Sequence, residues 1–481
     1  MQAGNHNPEN NTGSLKPIAD FTKTIETVAL PGEMPIGSLI HSKAPPTWGV
    51  VKVSNIPYSI TKQEIMQFVG RQARLIPGHA VHIIMERPTA KTMDCFVEFQ
   101  TPADAEETAK RINRIFETGR APRLGNRHVE VELSSQDDLL KDLFPRAKCV
   151  VWQGGMPGIL RNTDPYSTGY AGFFTTEEII GAIRHAEMPH RSPFCAKCPQ
   201  RTYESTISTL YKFPWYAPEF YTVHDRNQLF ELTNRHIMSL VSRMRKSNTV
   251  GLDQRLLRDL LQAGLNCPGF NERQKYTLCV NSEEDSEIAK IPDLSKWFPF
   301  DTLVNLPNFE YVAHLYYANL ISQGTVRETI NNELPNSFPV NTGLISPFGR
   351  IWFEWPTEVA KRVSWEEAVE QEAATLSNLV LSGWMHSEGK SYSSNQSNLS
   401  PSSPSTNKSA SRTESLSKVG TLSTPSRRAS ECWNIGSPHF DSIEDCWGQK
   451  LLFSPHGRLR GGMPGHRITH SSPNCLPKAN Q

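Results

Sequence analysis

The order of hydrophobic periodicities between Val50 and Leu133 constrains the fold more than any other feature of this chain. Val51 and Val53 alternate with Lys52 and Ser54, the two-residue period of a half-buried strand. Thr61-Lys62-Gln63-Glu64 is a capping-box signature, and Ile65, Phe68 and Val69 follow it at helical spacing. Val81, Ile83 and Met85 alternate as a second strand, and Met93, Cys95, Val97 and Phe99 as a third. Thr101-Pro102 sets an N-cap before a proline at the first helical position. Ala105, Thr108, Ala109 and Ile112 give that helix its inward face, and Val129, Val131 and Leu133 form a last strand. The order β-α-β-β-α-β predicts a ferredoxin-like α+β sandwich, four antiparallel strands with two helices on one face.

A chain of 481 residues is too long for this unit alone, and its 37% hydrophobic content points to a substantial unfolded fraction. Residues 1–45 are polar, apart from a weakly apolar patch over Thr27 to Ile36, and are expected to be disordered. The sandwich occupies 46–145. Residues 146–385 read as mainly helical, with no assignable fold. Helices are expected from Thr175-Thr176-Glu177-Glu178, from Asp225 through Val241, and over Leu252 to Leu261, Thr302 to Ile321 and Ser364 to Leu381. Val150-Val151-Trp152 resembles the start of a second, degenerate sandwich. Residues 386–481 are rich in Ser, Thr and Pro, and ordering their backbone at about 1–2 kcal/mol per residue is not offset by apolar burial. They are expected to form a disordered tail.

Composition also excludes several classes. Nine irregularly spaced cysteines with no signal peptide fit a reducing compartment, nucleus or cytoplasm. No apolar run approaches the roughly 20 residues that span a bilayer, so no membrane partner is expected. Cys195-Ala-Lys-Cys198 is half of a zinc knuckle, but no close second pair follows, so no metal or cofactor is expected. There is no phosphate-cradling glycine loop and no nucleophile elbow, so the reading is non-enzymatic. Phe213-Pro214-Trp215-Tyr216 and Ile351-Trp352-Phe353-Glu354-Trp355 read as core or partner groove.

Val51 to Ile56 and Thr92 to Phe99 sit where an RNA recognition motif keeps its two central strands. That motif places base-stacking rings at three positions held here by Lys52, Asp94 and Phe96. Glu98, Glu130 and Glu132 on the same face repel phosphate, so the sheet is a poor RNA platform. Phe96 is either an RNA-contacting ring or one covered by an extension such as Leu139 to Phe144. Loop residues are better suited. Tyr58 follows the first strand, Arg87 and Lys91 flank the second turn, and Arg120, Arg123, Arg127 and His128 precede the last strand. Interleaved arginines and rings can stack on splayed bases and hold phosphates.

Val50-Val51-Lys52-Val53, Ile56-Pro57-Tyr58-Ser59, Cys95-Phe96-Val97-Glu98-Phe99 and Gly125-Asn126-Arg127-His128-Val129-Glu130-Val131 resemble the quasi-RNA-recognition motifs of the heterogeneous nuclear ribonucleoprotein F/H group. The resemblance covers roughly residues 47–144. It implies that three loops, not the sheet, cage short G-tracts in single-stranded RNA. The family uses a first-strand basic residue, an aromatic after the turn and an Arg-Tyr pair. Tyr58 and Arg127 match; His128 replaces the tyrosine, and Ser54 replaces the basic residue with Lys52 close by. The expected RNA contacts are therefore Lys52, Tyr58, Arg87, Lys91, Phe96, Arg120, Arg123, Arg127 and His128. The expected role is regulation of RNA processing or mRNA fate, with 146–385 extending the RNA surface or docking proteins. The alternative is a protein-interaction adaptor whose RNA-recognition fold no longer binds RNA. In the tail, Arg427-Arg428-Ala429-Ser430 suits basophilic kinases, and Ser403, Thr424 and Ser437 precede proline, making all four candidate phosphorylation sites. Arg458-Leu-Arg460-Gly461-Gly462 is a lone Arg-Gly-Gly element that could assist RNA binding.

Overall fold

Period-two segments become strands and period-3.6 segments helices throughout the first sandwich. A computed structural model describes residues 34–395 apart from 35, 39–43, 118, 120–121, 247, 306–310, 332–345, 352 and 354. A short strand β1 (Ile36–Gly37) precedes β2 (Gly49–Ser54), α1 (Lys62–Val69), β3 (Val81–Glu86), β4 (Lys91–Phe99) and α2 (Pro102–Glu117). A hairpin of β5 (Arg123–Leu124) and β6 (Arg127–His128) leads into β7 (Glu130–Ser134). The sheet order is β3-β4-β2-β7, all antiparallel. Thr61 and Glu64 close the expected capping box at α1. Val51, Val53, Cys95, Val97, Phe99 and Val131 face α1 and α2 in one apolar core. Met93 does not join them. A register irregularity in the β3–β4 ladder breaks the alternation and turns Met93 out to solvent.

The opposite face of the sheet is not open. After α3 (Gln136–Leu143) and the hairpin of β8 (Val150–Gln153) and β9 (Met156–Ile159) comes a helical layer. It holds α4 (Thr176–Glu187), α5 (Pro193–Lys197), α6 (Arg201–Lys212), α7 (Val223–Lys246), α8 (Gln254–Leu265), α9 (Glu272–Ser282) and α10 (Asp285–Ile288). Beyond β10 (Val304–Asn305) lie α11 (Tyr311–Asn331), α12 (Thr357–Ala360) and α13 (Trp365–Asn395). Val50, Ile84 and Phe96 of the sheet share one core with Leu139 and Leu143 of α3, with Phe144 that caps it, and with Ile207, Leu210 and Phe213. The described residues all fall within one compact unit, Met1–Arg412. The protein is thus α+β, a small antiparallel sheet with many helices, and no described helix is long and apolar enough to cross a membrane.

Several boundaries differ from expectation for physical reasons. The patch ending at Ile36 is not wholly unstructured: β1 pairs with β10, and Met34 and Ile36 are buried. Val150-Val151-Trp152 starts a two-stranded hairpin, not a second sandwich. Helix α7 begins at Val223, because Thr222 caps it and Asp225 accepts from the Thr222 amide at 2.9 Å. Helix α11 starts at Tyr311, since Val304 and Asn305 are taken by pairing with β1. Helix α13 runs to Asn395, past the compositional boundary at 386, because extending a formed helix requires no new nucleus.

Helices α11 and α13 touch backbone to backbone at glycines. A Cβ on Gly383 would lie 1.9 Å from the Leu320 carbonyl oxygen, and one on Gly324 2.2 Å from that of Leu379. Gly383→Ala should therefore force the pair apart and destabilise the protein by about 1–3 kcal/mol, read by denaturant titration. An unchanged midpoint would show that the helices do not approach this closely.

Candidate nucleic-acid interface

Four of the sequence-selected residues meet at one end of the sandwich, where the β2–α1 loop lies beside the β5–β6 hairpin. Asn55 takes a left-handed φ of 59° and donates from Nδ2 to the His128 carbonyl at 2.8 Å, tying loop to hairpin. Arg127 donates to the Ile56 carbonyl at 3.0 Å, and its guanidinium carbon stands 5.3 Å from the Tyr58 ring centroid. Tyr58 keeps 38% of its surface exposed. His128 is exposed, with Nε2 2.8 Å from Arg123 Nη2. Lys91, half-buried, precedes Thr92, whose hydroxyl donates to the Tyr58 carbonyl at 3.2 Å. The edge thus combines a ring, two arginines and an imidazole without a nearby ion pair to a carboxylate among the described residues. Such a surface can stack bases and hold phosphates.

Two other expected contacts are corrected by the structure, and a third, Lys52, stays partly exposed but is held in ion pairs. Arg87 is buried, bonded to Glu178 at 3.2 Å and to the Thr209 hydroxyl at 3.1 Å, because helices α4 and α6 cover the β3–β4 loop. Phe96 has no exposed surface; α3 folds back across the sheet and seals it among Leu139, Leu143 and Phe144. Lys52 sits 5.2 Å from the Phe96 ring and is paired to Asp94 at 3.1 Å and Asp142 at 3.0 Å. Burial pulls the Lys52 pKa down, but its bonds to Asp142 and Asp94 outweigh that and leave it raised. Arg120 and the sites Ser403, Thr424, Ser430 and Ser437 lie outside the described residues.

Glu98, expected on an open acidic face, is fully buried. Its carboxylate bonds His82 at 2.8 Å, Lys212 at 2.7 Å and Gln136 at 2.7 Å, joining the sheet to α6 and α3. Glu130 and Glu132 remain exposed on the edge strand β7. Cys195 is a buried thiol donating to the His185 carbonyl, pushed up to about 11 by burial, and no described cluster of His, Cys, Asp or Glu is arranged to hold a metal.

Sequence reasoning missed Arg201, Lys212 and Phe194. Arg201 is fully buried and donates to the carbonyls of Tyr58 (3.4 Å) and Ile60, which positions the β2–α1 loop from beneath. Nothing in its local sequence marks it, since the contact spans more than a hundred positions. A cheap test separates sheet from edge. Phe96→Leu should lower stability by about 1–2 kcal/mol and leave RNA affinity unchanged, because the ring it replaces is inaccessible. A sheet reader would instead lose about 1–3 kcal/mol of stacking.

Two stretches match families described as domains of unknown function, DUF8400 over residues 47–154 and DUF8399 over residues 170–284. No curated protein matches the chain. Among solved structures, the crystal structure of the Glorund qRRM2 domain is similar at 25% identity, over 20% of this chain and 99% of that one, with a TM-score of 0.17.

Proposed function

We propose that the protein is a non-enzymatic regulator that binds single-stranded RNA through the loop edge of its sandwich. In this reading residues 46–145 are a quasi-type RNA recognition motif, which the β3-β4-β2-β7 strand order supports. The observation that carries the proposal is Arg127 packed on the half-exposed Tyr58 ring, with Arg123 and His128 alongside. Tyr58 would stack a base, Arg127 and Arg123 would meet phosphate or a base edge, and His128 would add a second, weaker stacking plane. Nucleus or cytoplasm, and RNA processing or mRNA fate, are the settings that fit such an activity.

A second reading has its own support. The sheet face and the β3–β4 loop, the other two surfaces such a fold offers RNA, are occupied by the chain's own helices. That favours an adaptor that retained the fold as a scaffold. Binding of the full-length protein to short G-tract, pyrimidine and A-rich single strands at physiological salt decides between them. The RNA reading predicts saturable binding, strongest for the G-tract, whose log affinity falls with log salt by about 0.7 per phosphate contact. Background signal with all three probes would leave the adaptor.

A further inference from the structure

We propose that Phe194 of α5 is the second stacking ring of this edge, so that the RNA site is built jointly by the sandwich and the helical layer. The proposal rests on the RNA reading above and extends it to a residue more than a hundred positions away. The Phe194 ring centroid lies 5.8 Å from that of Tyr58, with the planes inclined at 53°. The two rings are in tilted contact, and both keep solvent-accessible surface, Phe194 being half-buried.

The placement is held from several sides. Ser192, which caps α5, donates its hydroxyl to the Thr89 carbonyl at 2.7 Å. His185 Nε2 sits 3.1 Å from the Pro88 carbonyl. Arg201, just after α5, reaches the carbonyls of Tyr58 and Ile60. The segment that carries Phe194 is thus tied to the β3–β4 loop, and Arg201 ties the loop that carries Tyr58 to the same helical layer, so little ordering remains to be done when a strand binds. Arg191 and Lys197 flank Phe194 in sequence and are exposed, so cations are available within one helical turn of it to meet a nucleotide's phosphate.

The test uses the full-length protein and the G-tract single strand, with Phe194→Leu, Phe194→Trp and Tyr58→Ala compared by fluorescence anisotropy and thermal melting. Leucine keeps apolar bulk and removes the π-face; tryptophan keeps the face. Phe194→Leu is expected to weaken RNA binding about tenfold, as loss of one base stack does, while Phe194→Trp binds as well as the unaltered protein. Unaltered affinity in Phe194→Leu, with loss in Tyr58→Ala, would overturn the joint site and leave the loop edge standing. Equal loss in the Leu and Trp variants would also overturn it, because the ring would then only support the loop. If the unaltered protein binds no probe, the RNA reading and the joint site fall together.

Discussion

Replacing Glu98 by Ala is expected to destabilise the protein by about 3–5 kcal/mol, the penalty for leaving a buried charge without its partner. Lys212 is fully enclosed between the sheet and α6, and its ammonium bonds Glu98 and the Gln136 side-chain carbonyl, each at 2.7 Å. Without the carboxylate, no other described residue within hydrogen-bonding reach carries a compensating charge. Denaturant titration of the full chain reads the loss. The double replacement Glu98→Leu with Lys212→Met should recover only part of it, because it removes the unpaired charge but leaves His82 and Gln136 without the partners they have in this network. The pH dependence has a definite sign. Burial alone would raise the Glu98 carboxyl, but His82 and Lys212 hold it down at about 2, below an ordinary value near 4.5. Its contribution is complete above pH 4.5 and disappears as pH falls toward 2, so the double variant should show a flatter acid limb. A steep limb in both would place the acid sensitivity elsewhere.

The largest functional effect is expected from Tyr58→Ala combined with Arg127→Ala. Removing the ring and the guanidinium packed on it should weaken single-stranded RNA binding by about 2–3 kcal/mol, roughly 30- to 150-fold. Stability should fall far less than in Glu98→Ala. The Tyr58 side chain is half-exposed, and the hydrogen bonds that hold this loop from Thr92 and Arg201 go to backbone carbonyls. The double variant therefore separates recognition from folding, which a substitution at Arg87 cannot do. Arg87→Ala would strip the buried Glu178 of its cation and disturb the α4 capping box in which Glu178 participates. Arg123→Ala is a useful companion, since it should lower the salt dependence more than it lowers affinity for any one sequence.

The first sandwich was legible because its periodicities switch cleanly and its caps carry their own chemistry. Thr61 with Glu64 and Thr175 with Glu178 both form the boxes that their spacing implies. Tyr58 and Arg127 were singled out by the resemblance to the quasi-motifs, and the sheet order that sets the β2–α1 loop beside the β5–β6 hairpin brings them together. The covering of the sheet was legible only in part: an extension over Leu139 to Phe144 was one of the two readings of Phe96, while the helix that completes the cover was not foreseen. Alternation shows that Phe96 and Glu98 share one face but not what lies on that face, and the partners come from α3 and α6. Helix α6 is the hardest element to read. Arg201-Thr202-Tyr203-Glu204-Ser205-Thr206-Ile207-Ser208-Thr209 is buried almost all round, yet it is mostly polar. Its hydroxyls are satisfied partly inside the helix, Thr206 donating to the Thr202 carbonyl and Thr209 to that of Ser205, and partly across it, Thr202 donating to the Ala182 carbonyl, so hydropathy carries no trace of its burial. Arg87 was misread as a loop cation for the same reason, because Glu178 and Thr209 reach it only through tertiary packing.

These contacts give the sandwich a division of labour. Its broad face is a docking platform for the protein's own helices, and its loop edge is the surface we propose for RNA. The most direct measurement is photocrosslinking of the full-length protein to a short G-tract strand carrying photoreactive bases, with the attached residues mapped by mass spectrometry. The account predicts attachment at Tyr58 and along Arg123 to His128, with none at Phe96. Attachment at Phe96 or its neighbours on β2 and β4, or only within 396–481, would contradict it.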